Sequence, residues 1–271
     1  MNLSGPLLLV GCGKMGGALL EGWLGRGLDP ASVWIVEPSG DHLQAFLDRG
    51  VHQVAAADAL PRDLKPALIV LAVKPQMLEA ALPQYRGFAE AGAAVLSIAA
   101  GWRIAAFEEV LGSQTPVVRA MPNTPAAVGR GMTVLCANAH CDGALRGLAG
   151  DLLAAVGETA WVEDEGLIDP VTAVSGGGPA YVFLLIECLA EAGEKAGLPA
   201  DLAMQLARVT VSGAGALVDQ SSEPAATLRK NVTSPAGTTL EALNVLMAED
   251  GLQPLMTKAI AAATARSREL G

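Results

Sequence analysis

The chain's 271 residues predict an α/β protein in two parts: a doubly wound, mostly parallel sheet over 1–163 and an all-helical domain over 164–271. Three observations carry this expectation. Short β-rich runs alternate with helical patterns through the first part, as in successive βαβ units. The run 68–73 is apolar without alternation, as in a strand covered on both faces. Strand signals cease after Trp161-Val162-Glu163, and the rest reads as helices broken by Gly/Pro/Ser clusters.

Residues 7–10 read as the first strand, followed by a Gly-rich turn at 11–16 and a helix ending near Gly27. A strand at 33–36 leads to a helix at 41–49 that Gly50 stops. Further strands follow at 68–73, 93–98, 117–120 and 132–136. Asp142 offers an N-cap for a helix that Gly157 terminates. In the second part, helices are expected at 181–195, 201–218, 240–248 and 254–268, with breaks at 175–179, 197–199 and 234–237. Gly213 and Gly215 inside a helix cost about 1 kcal/mol each against Ala. Small residues there imply that another helix approaches closely.

Half the chain is apolar (51%) and 17% is charged, which suits a packed core rather than a disordered chain. The net charge of −10, with no basic run, excludes a nucleic-acid partner. An anionic ligand would have to be held by local backbone N–H groups. The four cysteines form no CxxC pair and read as reduced thiols of a cytoplasmic protein. Cys136, His140 and Cys141 make the one grouping with metal-ligand chemistry; lacking a second cluster, they read as strand and loop residues, so no metal is expected. The apolar run at 6–10 has no preceding Lys or Arg and stops at Gly11, unlike a signal peptide. No uninterrupted apolar stretch reaches the roughly 18–20 residues of a membrane span, so no membrane partner is expected.

Gly11-Cys12-Gly13-Lys14-Met15-Gly16 is a GxGxxG between a strand and a helix. In a Rossmann domain the first Gly permits the tight turn and the second lets backbone approach a pyrophosphate. The third lets helix and strand pack closely. The helix N-terminus then offers free N–H donors to phosphate. Glu37 follows the second strand about 20 residues beyond Gly16, where an acid bonds the ribose 2′-OH. The position would also suit a solvated strand-end carboxylate. A carboxylate there repels a 2′-phosphate, and Pro38, Ser39 and Gly40 bring no cation, so NADH is expected over NADPH. Glu37 and Pro38 join the Gly-rich turn as expected cofactor contacts.

Four further segments are more specific: Leu71-Ala72-Val73-Lys74-Pro75-Gln76, Arg119-Ala120-Met121-Pro122-Asn123-Thr124-Pro125, Ser175-Gly176-Gly177-Gly178-Pro179-Ala180-Tyr181 and Val232-Thr233-Ser234-Pro235-Ala236-Gly237-Thr238-Thr239. In this order and spacing the chain resembles the pyrroline-5-carboxylate reductase family from end to end. The resemblance implies a Rossmann domain, then a helical dimerisation domain that interlocks with a second copy, with dimers in some members assembling into rings. It implies that Ala72, Val73, Lys74, Pro75, Met121 and Pro122 flank the nicotinamide of NAD(P)H. It also implies that the SGGGP and SPAGTT segments build the pocket for 1-pyrroline-5-carboxylate, which is reduced to proline. Two positions depart from the family pattern: Gly177 stands where SGSGPAY has a serine, and Ala236 where SPGGTT has a glycine.

Residues 234–239 run into a helix start, so Ser234, Gly237, Thr238 and Thr239 are expected to receive the substrate carboxylate, with Ser175 and Gly178 opposite. The same string also serves as a turn and N-cap. Thr239 is the candidate catalytic residue, orienting the imine nitrogen. Lys74 reads as a neighbour of the nicotinamide rather than an acid. A protonated imine already carries its positive charge, so alignment rather than a strong acid is needed. A β-hydroxyacid dehydrogenase-like enzyme would need a base such as a lysine on the helix after SGGGP, and none occurs there before Lys195. A non-catalytic dinucleotide-binding regulator would need the GxGxxG segment alone.

Overall fold

The computed structural model describes residues 3–271. Its first compact unit runs to Gly176 and takes back residues 263–271; the second spans Gly177–Ala262. The division therefore falls later than the expected 163/164.

In the first unit, β1 (Leu7–Val10) leads to α1 (Lys14–Gly25), and β2 (Val33–Val36) to the short α2 (Gln44–Leu47) and β3 (His52–Val54). Then come β4 (Leu68–Leu71), α3 (Pro75–Ala81), α4 (Arg86–Glu90), β5 (Ala94–Ser97), α5 (Ile104–Leu111) and β6 (Val117–Met121). β7 (Gly131–Ala137), α6 (Gly143–Leu153), β8 (Gly157–Trp161) and α7 (Ile168–Val171) complete the ordered elements, followed by a π-turn at Thr172–Gly176.

The sheet order is β3-β2-β1-β4-β5-β6-β7-β8, parallel throughout except for the antiparallel β6–β7 pair. Chain order reverses beside β1, which opens a crevice at the carboxyl ends of β1 and β4. Alternate residues of β1 explain why the sheet is covered twice. Leu7 and Leu9 join the core that includes α1 and Trp23, whereas Leu8 and Val10 join the core around Leu78, Tyr85 and Phe107. The Trp23 indole N–H finds the Leu152 carbonyl at 2.8 Å, so this large ring is buried without an orphaned donor.

One strand escapes the sequence reading, and another is caught only at its end, where Trp161 carries the last strand signal. β3 has no apolar run; His52 stacks on Trp34 with ring centroids 4.4 Å apart, and the strand depends on β2 for its pairing. β8 starts at Gly157, whose φ of +151° and close approach to the Gly131 backbone leave no room for a side chain. Gly157 thus begins a strand as well as ending a helix. Asp142 caps α6 as expected, its Oδ1 accepting from the Leu145 N–H at 2.8 Å.

The second unit is built from α8 (Gly178–Lys195), α9 (Ala200–Gln220), α10 (Ala225–Asn231), α11 (Thr238–Leu246) and the first part of α12 (Leu252–Leu270). Short α10 is not among the expected helices. Buried apolar residues among 177–262 are only Ala190, Ala203 and Ala207, while Phe183 is 60% exposed and Leu217 64%. A helical unit with so little buried core needs another surface. Apart from their own helix backbone and chain neighbours, no described atom lies within 4 Å of a Cβ added at Gly213 or Gly215, so no other helix of this chain packs closely on them. Among the described residues one helical run, Glu165–Lys195, is long and apolar enough, by length and composition, to cross a membrane; charged and polar residues and glycines interrupt it, so it is not an uninterrupted apolar stretch.

Candidate active site

The Gly-rich turn shows why each motif glycine is needed. Gly11 has φ +84°, and a Cβ there would sit 2.8 Å from Val73 Cγ1. A Cβ on Gly16 would meet the Gly11 carbonyl oxygen at 2.5 Å. At Gly13 nothing lies within 4 Å, which leaves the approach clear for a ligand. Gly13 is also the N-cap of α1, with no side-chain cap and no acid in the first turn. The N–H groups of that turn therefore face outward with the helix dipole unopposed, a donor set that fits a pyrophosphate.

Glu37 is fixed against this turn. Its Oε2 accepts from the Cys12 N–H at 2.9 Å and its Oε1 from the Ser39 N–H at 3.3 Å. Its own N–H donates to the Val54 carbonyl, and Gln53 Nε2 donates to the Glu37 carbonyl at 2.8 Å. Burial, reinforced by the Glu37 charge, pushes the Cys12 thiol up to about 12, so it stays neutral. Beside the acid, Val36, Pro38, Ala56, Val73, Met77 and Tyr85 line an apolar cleft of about 430 Å³.

The 72–75 segment lies along the turn, Ala72 N–H donating to Val10 O at 2.8 Å. Lys74 is the exposed N-cap of α3, with Pro75 at the first helical position. The Pro75 carbonyl accepts from the Trp102 indole at 3.2 Å.

At the end of β6, Met121 reaches Gly176, where an added Cβ would meet Met121 Cε at 2.6 Å. Pro122 is buried. Asn123 donates from Nδ2 to the Ser175 hydroxyl (3.2 Å) and carbonyl (3.3 Å), while its Oδ1 accepts from the Met132 N–H at 2.8 Å. The structure thus joins Met121 and Ser175 through a residue to which the sequence reading gives no role; an amide side chain between two prolines is its only signal. Buried Arg119 pairs with Glu165 at 2.7 Å, and the same carboxylate oxygen accepts from the Ile104 N–H.

The 234–239 segment belongs to the second unit. Gly237 N–H closes a turn on Ser234 O at 3.1 Å, and an added Cβ at Gly237 would strike the Ser234 hydroxyl. Ala236 has φ +56° and is the non-glycine residue with positive φ among the described residues. α11 begins at Thr238 on a Gly237 N-cap without a side-chain partner, and Ser234, Thr238 and Thr239 are exposed. Gly178 opens α8 with nothing within 4 Å of an added Cβ. Among the described residues no three His, Cys, Asp or Glu side chains gather as metal ligands. Cys141 Sγ instead donates to the Val117 carbonyl at 3.3 Å.

A Rossmann sheet with an open Gly-rich turn and an acid pinned at the end of β2, followed by a helical module, defines a nicotinamide-dependent oxidoreductase. The family model for pyrroline-5-carboxylate reductase dimerisation matches residues 165–270. A second model, for coenzyme F420-dependent NADP oxidoreductases, matches residues 7–101. A pyrroline-5-carboxylate reductase of Pseudomonas aeruginosa is 38% identical over 97% of this chain and 96% of its own. The solved structure of a pyrroline-5-carboxylate reductase from Coxiella burnetii superimposes with a TM-score of 0.91 at 35% identity, covering 99% of both chains. That of the Plasmodium falciparum enzyme, with NADP bound, gives 0.82 at 29% identity over the full length of both. The chain belongs to the pyrroline-5-carboxylate reductase family.

Proposed function

We infer that the protein transfers hydride from NAD(P)H to the C=N bond of 1-pyrroline-5-carboxylate, giving L-proline, the last step of proline synthesis. The observation that carries the hydride donor is the uncapped start of α1 at Gly13, open to a ligand and backed by Glu37. The substrate follows from the near-full-length likeness to reductases of that imine. When bound, the dinucleotide supplies the hydride from its nicotinamide C4.

The chain's own residues bind and align. Gly11–Gly16 hold the pyrophosphate, Glu37 the adenosine ribose, and the apolar cleft beside Pro38 has room for adenine. Ala72, Val73, Lys74, Pro75, Met121 and Pro122 border the nicotinamide. Ser234, Gly237 and Thr238 take the substrate carboxylate at the start of α11, with Ser175 and Gly178 opposite. The Thr239 hydroxyl oxygen accepts a hydrogen bond from the iminium N–H, holding the imine plane for attack. The iminium carbon gains the hydride, the C=N π pair becomes the nitrogen lone pair, and the N–H proton stays on the product amine.

NADH is the preferred donor. Glu37 is tied to Cys12 and Ser39, so its charge cannot swing aside for a 2′-phosphate. Exposed Phe183, Leu184, Val209 and Leu217 supply the surface for a homodimer through the helical module. Rings of such dimers follow if a further face is used. The functional division stays at 163/164, next to the start of the dimerisation match at 165. We place the enzyme in the cytoplasm, where its four free thiols stay reduced.

The test is steady-state loss of nicotinamide absorbance with pyrroline-5-carboxylate against 3-hydroxyacids run in reverse, each with both cofactors. Turnover of the imine, with Thr239→Ala lowering kcat/KM at least tenfold, is the expected result. A Thr239→Ala effect within about twofold, roughly 0.4 kcal/mol, removes the role of Thr239. Cofactor binding without imine turnover favours the regulator.

A further inference from the structure

The backbone of Cys12 is held from both sides. Its N–H donates to Glu37 at 2.9 Å, and its carbonyl oxygen accepts from Nε2 of His42 at 2.8 Å. A carbonyl only accepts, so Nε2 carries a hydrogen. His42 is exposed, but its position is not loose. Leu43 beside it is fully buried, and the Leu43 N–H closes a turn on Gly40 O at 2.9 Å.

A trans peptide plane points its C=O and N–H in opposite directions. The Cys12 carbonyl and the Gly13 N–H share one such plane, so fixing the first aims the second. The Gly13 carbonyl, held by the Gly17 N–H at 2.8 Å, lies in the next peptide plane and leaves the Cys12–Gly13 plane to the imidazole. The residue has no Cβ, and no atom lies within 4 Å of where one would stand. Without the imidazole, that peptide can rotate about the bonds on either side of it.

We propose that His42 is a positioning residue for dinucleotide binding: by holding the Cys12 carbonyl it aims the Gly13 N–H at the cofactor's pyrophosphate. This rests on the dinucleotide reading above and adds a residue from outside the Gly-rich string. The labour divides cleanly. Glu37 fixes the Gly11–Cys12 peptide and reads the ribose, and His42 fixes the Cys12–Gly13 peptide and sets a phosphate donor.

The test compares His42→Ala and His42→Gln in the full-length protein by calorimetric titration with NADH, ADP and adenosine. A glutamine amide can still donate to the carbonyl. His42→Ala should weaken NADH and ADP about three- to tenfold, the worth of one hydrogen bond, and leave adenosine within about twofold. His42→Gln should restore most of the loss, and the KM for pyrroline-5-carboxylate should hold in both variants. ADP affinity unchanged in His42→Ala overturns the proposal. So does adenosine weakening in step with ADP, which would mean a collapsed adenine cleft, or a failure of glutamine to rescue. If the wild type binds neither NADH nor ADP, the dinucleotide reading itself falls and takes this one with it.

Discussion

The Asn123 side chain donates to both the hydroxyl and the carbonyl of Ser175, 52 residues away in the chain, at 3.2 and 3.3 Å. Its other end accepts from Met132 N–H in β7, so one amide couples the end of β6, the sheet and the π-turn at Thr172–Gly176. If Ser175 meets substrate, Asn123 sets where its hydroxyl points. Asn123→Asp keeps an acceptor for Met132 but loses both donated bonds. It should lower kcat/KM about tenfold and, by setting a carboxylate oxygen against the Ser175 carbonyl, cost about 1–3 kcal/mol of stability. Asn123→Ala removes both functions and should also cost about 1–3 kcal/mol in urea unfolding. Equal kcat/KM for the Asn123→Asp variant and the wild type would remove Ser175 or its tether from the substrate pocket.

Ala236 gives a prediction of opposite sign. At φ +56° an alanine bears about 1–2 kcal/mol of left-handed strain that glycine escapes. Glycine loses about 0.5–1 kcal/mol of that advantage through unfolded-chain entropy. Ala236→Gly, which restores the family's SPGGTT string, should therefore stabilise the protein by about 0.5–1 kcal/mol. Denaturant midpoints at fixed protein concentration would show it. A lower midpoint would mean that the turn is not strained as its backbone angle implies.

Glu37 allows charge to be separated from anchoring. Glu37→Gln keeps an oxygen for the Cys12 N–H and removes the charge that opposes a 2′-phosphate. NADPH affinity should rise about tenfold, about 1.4 kcal/mol, while NADH affinity changes by less than about threefold. Glu37→Ala should weaken both cofactors, because the Cys12 N–H loses its acceptor. Fluorescence titration of the two variants with each cofactor decides the matter. A wild type that already prefers NADPH would refute the assigned role of the charge.

What can be read without coordinates follows the strength of local signals. β1 and β4 are continuous apolar runs, and β5 departs from one only at Ser97, so all three stand out as strands; β3 and β8 are partly exposed edge segments whose pairing partners define them. Glu37 is legible because its spacing from Gly16 is set by one βαβ unit. His42 is not. It stands 30 residues from Cys12 in an exposed turn, and all three histidines lie outside the pocket motifs. The positive φ at Ala236 is open in the sequence, since alanine gives no sign of a left-handed turn, and the fold places it there. Arg119 marks itself as a charge inside a strand, but nothing local points to Glu165, 46 residues on.

Buried acids that stay neutral should make the fold sensitive to alkali. Burial, with Glu37 adding to it, raises the Cys12 thiol from 9.0 to about 12. Burial likewise raises Cys141 from 9.0 to about 11 and the Tyr85 phenol from 10.0 to about 12. In the unfolded chain these groups lose their protons near their ordinary values, while the native state still holds them. The unfolded state then binds fewer protons, so stability falls as pH rises. Their contribution is complete below about pH 9 and is lost progressively as pH climbs through the native values toward 12. Urea midpoints should therefore be flat from neutrality to about pH 9 and then drop. Cys12→Ala, which removes one of the three groups, should make that drop shallower. Difference absorbance of the tyrosinate should show Tyr85 ionising only as the fold opens. A midpoint that holds level beyond pH 11, or a Tyr85 that titrates near 10 in the folded enzyme, would show that water reaches these side chains and that the sheet's two cores are not closed around them.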